Sequence, residues 1–375
     1  MLKLFLTGDN HIGLKYANHE QAAALISERL EAIERMVRKA NEEKCGLFVI
    51  AGDLFENTYG VSKKDVKSVA DMLSQFNGIT AVLPGNHDYY DNEAKVWHYF
   101  KDVTHDNILL LTDYRPYEIT IGDDTAILYP ALCTSLHSAK GENNLGWIKS
   151  TPITDSGKYH IGIAHGAVEG ETIDNEGQYF LMTRDELSSI PVDVWLIGHT
   201  HVPFPNDLKT DVCTEGEHIF NAGTHVQTDV SCNTEGCGFI IEIDEDKTVR
   251  AKKASSGGIR FYRKNITLTA GNMEAVLTRE LGMLEDKSVV DIILDGAVTD
   301  TEYAVHDEVL RDMLSRFTES TYNDHALSRL ISDELIKSEF SETSFSSELL
   351  SALMDEPKEA QLMYELLKEL KAERS

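Results

Sequence analysis

Positive charge is scarce in this chain. Over 375 residues, 35 lysines and arginines face 63 aspartates and glutamates, a formal net charge of −28. That balance repels nucleic acid unless basic side chains gather locally or a partner supplies them, so composition alone argues against a free-standing DNA binder. Cysteine is sparse as well. Cys45, Cys133, Cys213, Cys232 and Cys237 are odd in number and make no CxxC pair, which argues against a cysteine-built zinc site and for reduced, mostly buried thiols. Long apolar runs are missing: none approaches the ~18 residues a membrane helix needs, and MLKLFLTGDN meets an aspartate too early for a signal peptide. A cytoplasmic protein without membrane contact is therefore expected. There is no internal repeat and no low-complexity tract. Against these absences stands a hydrophobic content of 42%, enough to give one large domain or two a proper core.

The first part of the chain alternates short apolar strands with amphipathic helices: LKLFLT, a helical stretch from about Asn18 to Lys44, GLFVIAG, a helix near Ser62 to Phe76, then ITAVLPG. This βαβαβ order implies an α/β fold with a largely parallel, covered sheet. In the first helix Ala23, Leu25, Ile26, Leu30, Ile33, Met36 and Val37 recur at helical spacing and are assigned to the core. After Asp106 a second batch of strands follows, many expected to be antiparallel, giving a mixed two-sheet architecture. The SSGG at Ser255 to Gly258 marks a break. Beyond it, NITLTAGNMEAVLTREL and KSVVDIILDGAV read as a small β-α-β unit, followed by a helix from Tyr303 to Phe317. The last stretch reads as two amphipathic helices with Pro357 at the start of the second. The expected segments are 1–258, 259–340 and 341–375.

Five strand ends carry residues of metal-binding type: TGDNH (Asp9, His11), AGDLFE (Asp53), PGNHD (Asn86, His87, Asp88), AHG (His165) and GHTH (His199, His201). Strand C-termini of an α/β sheet open onto a common crevice, so residues far apart in sequence can converge there. Glycines at 8, 52, 85 and 198 allow a tight turn that aims the next side chain inward. Taken singly each element is weak, because a lone aspartate after a strand is usually a cap or turn residue. Together, imidazoles, carboxylates and one asparagine suit manganese, iron or zinc and are too rich a set for one ion. Two metals about 3.5 to 4 Å apart, sharing a bridging carboxylate, acidify a water and clamp a phosphoryl group for in-line attack.

Asp-x-His, Gly-Asp, Gly-Asn-His-Asp, the His-Gly strand end and Gly-His-x-His, in this order, resemble the signature of the calcineurin-like metallophosphoesterases. The resemblance implies a four-layer α/β/β/α sandwich with a small C-terminal α+β cap domain and terminal amphipathic helices. It implies that Asp9, His11 and His201 hold the first metal, that Asp53 bridges, and that Asn86, His165 and His199 hold the second, with Mn²⁺ the expected ion at both. His87 resembles the family's non-ligand histidine, which stabilises the transition state and protonates the leaving oxygen.

GDNHIGLKY, AGDLFEN and LPGNHD, with the small domain and the helix pair, further resemble the SbcD-type nuclease subunits of DNA double-strand-break repair. That likeness implies a homodimer that acts on DNA and grips an SbcC-like, SMC-type coiled-coil ATPase through its terminal helices. The apolar stripes Leu349, Leu350, Leu353, Met354 and Met363, Leu366, Leu367, Leu370 suit such a grip. A phosphomonoesterase or another phosphodiesterase is the alternative, weakened because Asn57 stands where related protein phosphatases place a phosphate-clamping arginine. A non-catalytic scaffold of the same fold is a third reading, weakened by the complete ligand set. Lys15, Lys63, Lys64 and the basic window Arg250 to Lys264 are candidates for a local DNA path. Glu56 holds a place where superfamily members carry an aspartate that orients the catalytic histidine. It is expected to hydrogen-bond a ring nitrogen of His87. The remaining histidines, His19, His137 and His225 among them, are expected on the surface or in packing.

Overall fold

The structure, a computed structural model, describes residues 1–91, 93–155, 157–170, 177–210, 212–232 and 234–373. It divides into two compact units, Met1–Ile259 and Arg260–Ser375, so residues 341–375, read from sequence as a separate segment, fall within the second unit.

The first unit opens with β1 (Leu2–Thr7), α1 (Ala22–Glu42), β2 (Leu47–Ala51), α2 (Lys63–Leu73), β3 (Ile79–Leu83), α3 (Lys95–Val103) and β4 (Ile108–Leu110). It continues with β5 (Tyr117–Ile121), β6 (Asp124–Ala131), α4 (Gly146–Lys149), β7 (Tyr159–His165), α5 (Arg184–Ser189) and β8 (Val194–Gly198). It closes with β9 (Thr214–Glu215), β10 (Ile219–Asn221), β11 (Cys237–Ile243) and β12 (Val249–Ser255). The strands form two sheets, ordered β4-β3-β2-β1-β11-β12-β9 and β10-β8-β7-β6-β5.

Alternation along β1 explains the layering. Leu2, Leu4 and Leu6 point to one core with Leu128, Ile161, Ile163 and Leu196 of the other sheet, while Phe5 points the other way, to Ile33, Met36 and Val37 of α1. From Leu4 to Leu6 both faces are buried, so that stretch reads as continuous apolar sequence after the partly buried Lys3. Trp195 and Ile197 of β8 pack outward against Ile148 of α4 and Leu187 of α5. The result is helix, sheet, sheet, helix.

Strand direction in the second sheet departs from expectation: β10, β8, β7 and β6 are mutually parallel, and β5 alone runs antiparallel to its neighbour. The long connections after β6, β7 and β8 act as crossovers. Among the described residues they contain α4, α5, the short strand β9 and irregular backbone rather than a long amphipathic helix, so they left no clear periodic signal.

In the second unit β13 (Arg260–Thr269), α6 (Met273–Gly282), β14 (Ser288–Val298), α7 (Asp300–Leu314) and β15 (Glu319–Arg329) build an all-parallel sheet ordered β13-β14-β15. The α+β expectation is thereby refined to a βαβαβ unit. Its last strand, ESTYNDHALSR, is polar and partly exposed, and gave no apolar alternation to read. Three helices follow, α8 (Asp333–Glu339), α9 (Phe345–Ala352) and α10 (Pro357–Glu373). Leu350, Leu353, Met354, Met363 and Leu367 pack with Ile336 and Tyr364 in their shared core. Leu362, Leu366 and Leu370, one turn apart on α10, remain exposed.

Candidate metal centre

Every expected ligand, and the expected non-ligand His87, lies at or just past the C-terminal end of a strand: Asp9 and His11 after β1, Asp53 after β2, Asn86 and His87 after β3, His165 ending β7, and His199 and His201 after β8. Main-chain bonds stitch these ends together. Asp9 N–H donates to Gly52 O (3.1 Å), His11 N–H to Asp53 O (2.9 Å) and Gly166 N–H to Gly198 O (3.3 Å). Four of the donors, Asp9 (φ 50°), His11 (46°), Asp53 (50°) and His199 (105°), sit in the left-handed region, a local strain that clusters at sites held by their surroundings.

Two of the glycines have distinct reasons. Gly52 has φ +92°, whereas Gly85 has no unusual φ, but a Cβ there would lie 2.2 Å from Asp53 Oδ1. At Gly85 the requirement is close approach rather than a turn.

The donors converge as two neighbouring sets. Asp9, His11 and His201 gather their ligand atoms within 4.8 Å of one another, with His11 Nε2 3.1 Å from His201 Nε2. Asn86 Oδ1 lies 2.9 Å from His165 Nε2 and 3.1 Å from His199 Nδ1. Asp53 Oδ2 stands between them, 3.3 Å from His165 Nε2 and 3.8 Å from His11 Nε2, the position a bridging carboxylate needs.

Neighbours fix the tautomers. His165 Nδ1–H donates to Ala51 O (2.8 Å), which turns Nε2 to the centre. The amide of Asn86 donates to Leu136 O (3.3 Å), turning its oxygen inward. Asp9 receives the His199 N–H on both oxygens at 3.0 Å, and Asp53 receives the His87 N–H at 2.9 Å.

Electrostatics suit cations. Burial, with Asp53 adding like charge, pushes the Asp9 carboxyl up to about 8 even though His165 works against it. Burial also works to raise Asp53, but His165 and then His11 outweigh it and hold that carboxyl well below its usual range. Burial and then the charge of His165 lower His199 to about 3, and burial with His11 lowers His201 to about 4, leaving neutral rings with free lone pairs. Against burial, the Asp53 charge and contact raise His165 to about 9, so the buried carboxylates and His165 share charge while His199 and His201 stay neutral, a donor set whose protons a divalent metal can replace.

Glu56 is placed differently from the expectation. Its carboxylate accepts from His11 Nδ1 (3.0 Å), not from His87. What His87 Nδ1 meets is the main-chain oxygen of Glu56 (3.2 Å). The segment 54–56 runs alongside 11–12, with Ile12 N–H bonded to Leu54 O and Glu56 N–H to Ile12 O, and this ribbon sets the side chain under His11. His87 packs edge-on to the His11 ring at 4.8 Å and borders a cavity of about 790 Å³, whose described lining also includes His11, Glu56, His201 and Asp229 and contains no lysine or arginine.

Several contributors escaped the sequence reading. Arg29, 1% exposed, donates to Asn10 O (3.0 and 2.8 Å), Tyr16 Oη (3.0 Å) and Val226 O (3.3 Å), bracing the Asp9–His11 loop from beneath. The spacing Leu25, Arg29, Ile33 was the available signal, because it puts an arginine on the buried face of α1. Asp88, named from sequence only as a residue of metal-binding type, instead ties the loops after β2 and β3, accepting from Phe55 N–H (2.9 Å) and Gly85 N–H (2.6 Å). His19 lines the cavity, and His137 meets edge-on the ring of Tyr179, which in turn packs on His199. His225 is buried and donates to Arg29 O (2.9 Å), so it serves packing, as expected. Three of the six basic side chains in the Arg250 to Lys264 window form ion pairs with acids. Lys252 pairs with Glu43 (2.9 Å), Arg250 with Asp244 (2.7 Å) and Arg263 with Asp291 (2.8 Å).

Two converging sets of histidine, carboxylate and amide donors at the open edge of a double sheet define a metallohydrolase centre. Residues 2–203 match the calcineurin-like phosphoesterase family, and the chain belongs to it. The family uses dinuclear metal sites and hydrolyses phosphate esters. Among solved structures the chain is similar to TT1561 of Thermus thermophilus (12% identity, 68% of this chain and 99% of that one, TM-score 0.40). It is also similar to a purple acid phosphatase from yellow lupin seeds (13%, 68% and 52%, TM-score 0.40) and to a dimetal phosphatase from Danio rerio (10%, 68% and 97%, TM-score 0.35). No helix among the described residues is long and apolar enough to cross a membrane.

Proposed function

We propose that the protein is a cytoplasmic, Mn²⁺-dependent DNA nuclease, the homodimeric nuclease subunit of an SbcCD-like repair complex. The observation that carries the diester reading is the cavity itself. Among its described lining residues no lysine or arginine waits for a terminal phosphate, and Asn57 is occupied in its own turn, accepting from Tyr59 N–H (3.1 Å) and Gly60 N–H. A dianionic monoester needs more positive charge than a monoanionic diester. Glu56 and Asp229, both in the lining, oppose the extra charge further.

When bound, two divalent cations polarise the phosphoryl oxygens and acidify a water. Asp9, His11, His201, Asp53, Asn86, His165 and His199 would hold them. His87, its Nδ1 bonded to the Glu56 carbonyl, presents Nε2 to the cavity for proton delivery to the leaving oxygen. The polynucleotide assignment and the ATPase partner rest on the SbcD-type motif phrases and on the exposed Leu362, Leu366 and Leu370 stripe. With Arg250, Lys252 and Arg263 of the basic window paired internally, the partner supplies most of the DNA affinity.

The test is Mn²⁺-dependent cleavage of linear duplex DNA and of a bis-aryl phosphate, compared with an aryl monophosphate. Both diesters are expected to be hydrolysed. His87→Ala is expected to lower turnover by about 10²- to 10⁴-fold while Mn²⁺ binding is retained. Cleavage of the monoester alone would overturn the reading.

A further inference from the structure

Two of the ligand histidines are supported in different ways. His165 donates its outer N–H to a neutral carbonyl, Ala51 O at 2.8 Å. His11 donates its outer N–H to a carboxylate, Glu56 Oε2 at 3.0 Å. The second arrangement is a carboxylate–histidine pair aimed at a metal. The charged acceptor fixes the ring with Nε2 toward His201 and Asp53, and raises the basicity of that nitrogen.

The contact is built rather than incidental. Glu56 is anchored by the ribbon in which its own N–H bonds Ile12 O at 3.0 Å and His11 N–H bonds Asp53 O at 2.9 Å, so ligand and carboxylate are held by one backbone ladder. The same residue turns its main-chain oxygen to His87, which leaves the carboxylate free to serve His11.

We propose that Glu56 is a positioning residue for the first metal ion, and that through His11 it makes this site the tighter of the two. The proposal rests on the dinuclear reading of the centre. It differs from a role for the Glu56 carboxylate on His87, which would change proton delivery and leave metal affinity alone.

Equilibrium dialysis of the full chain against Mn²⁺ separates these readings. The wild type is expected to fill in two steps. Asn86→Ala, which touches only the second donor set, identifies the weaker step by weakening it. Glu56→Gln, isosteric with the native side chain, is expected to weaken the tighter step by about 10- to 100-fold and leave the other unchanged, with the thermal midpoint in EDTA unaltered. Glu56→Ala is expected to weaken the same step at least as much. Two equal steps in the wild type, unchanged affinities in Glu56→Gln, or weakening of the step that Asn86→Ala identifies would each overturn the proposal. Saturation of the wild type below two ions would instead sink the dinuclear reading.

Discussion

Arg29 offers the sharpest energetic test of how the centre is held. Its guanidinium is fully buried in α1 with no carboxylate partner among its described hydrogen bonds, and it gives two bonds to Asn10 O and one each to Tyr16 Oη and Val226 O. The cost of Arg29→Met falls chiefly on Asn10 O, which takes two of these bonds, whereas the single hydroxyl proton of Thr224 lies within reach of both Val226 O (2.8 Å) and Asp9 O (3.0 Å), the latter also 3.5 Å from the guanidinium, and can serve one of them. Charge-assisted bonds contribute about 1.5 to 3 kcal/mol each, and a buried carbonyl left without a donor costs about 1 to 3 kcal/mol. Part of this is offset because the variant no longer has to bury a charge. A net loss of about 3 kcal/mol is expected. With a urea dependence of about 3 kcal/mol per molar for a unit of this size, the unfolding midpoint in EDTA should fall by about 1 M. Trp97, Trp147 and Trp195 all lie in the first unit, so tryptophan fluorescence reports on that unit alone. Arg29→Lys should recover only part of the loss, since one ammonium cannot span the loop. A midpoint shift under about 0.3 M for Arg29→Met, on the same scale, would show that the loop is held without the guanidinium.

Three further outcomes are expected. Gly85→Ala places a methyl 2.2 Å from Asp53 Oδ1 and should displace the carboxylate proposed to bridge; dialysis that still finds two bound Mn²⁺ ions would refute the close-approach argument. In the second unit Glu302 accepts from Gly271 N–H (2.8 Å), Met273 N–H (3.0 Å), Thr299 N–H (2.9 Å) and Thr299 Oγ1 (2.9 Å), clamping the starts of α6 and α7. Burial works to raise this carboxyl, but those bonds hold it down from 4.5 to about 2. A depressed acid stabilises above its unfolded value and loses its contribution as pH falls through its folded one. Glu302→Gln should therefore cost about 1 to 2 kcal/mol at pH 7, and the thermal midpoints of variant and wild type should converge toward pH 2; a constant gap would refute the role. Finally, replacing Leu362, Leu366 and Leu370 with glutamate should leave the melting profile unchanged, because these side chains are exposed, yet abolish co-purification with the proposed coiled-coil ATPase partner; retained binding would reject the stripe as the contact.

The sequence made most of the centre legible because each ligand ends a strand that is itself apolar and short. The turn from Val49, Ile50 and Ala51 into Gly52 and Asp53 marks both the strand and its terminus. Harder to read were elements whose signals are not periodic. Strand β15 is polar and partly exposed, and α4 and α5 are four and six residues long, too short to show a helical stripe. Arg29 was hidden for a different reason: it occupies a core position of α1 among apolar neighbours.

The residue types and their order along the chain determined the family, the donor set and the layered fold, because strand, turn and ligand are encoded together at each of the five sites. Glu56 shows where that determination stops. Its position three residues after Asp53 places it beside the centre, but two histidines, His11 and His87, are within reach of that position. Only the tertiary structure decided between them. The parallel ribbon of residues 11–12 and 54–56 brings the carboxylate to His11 and leaves the carbonyl for His87. Sequence spacing fixes how far a side chain is from the turn, but the partner it meets depends on how two distant loops lie side by side.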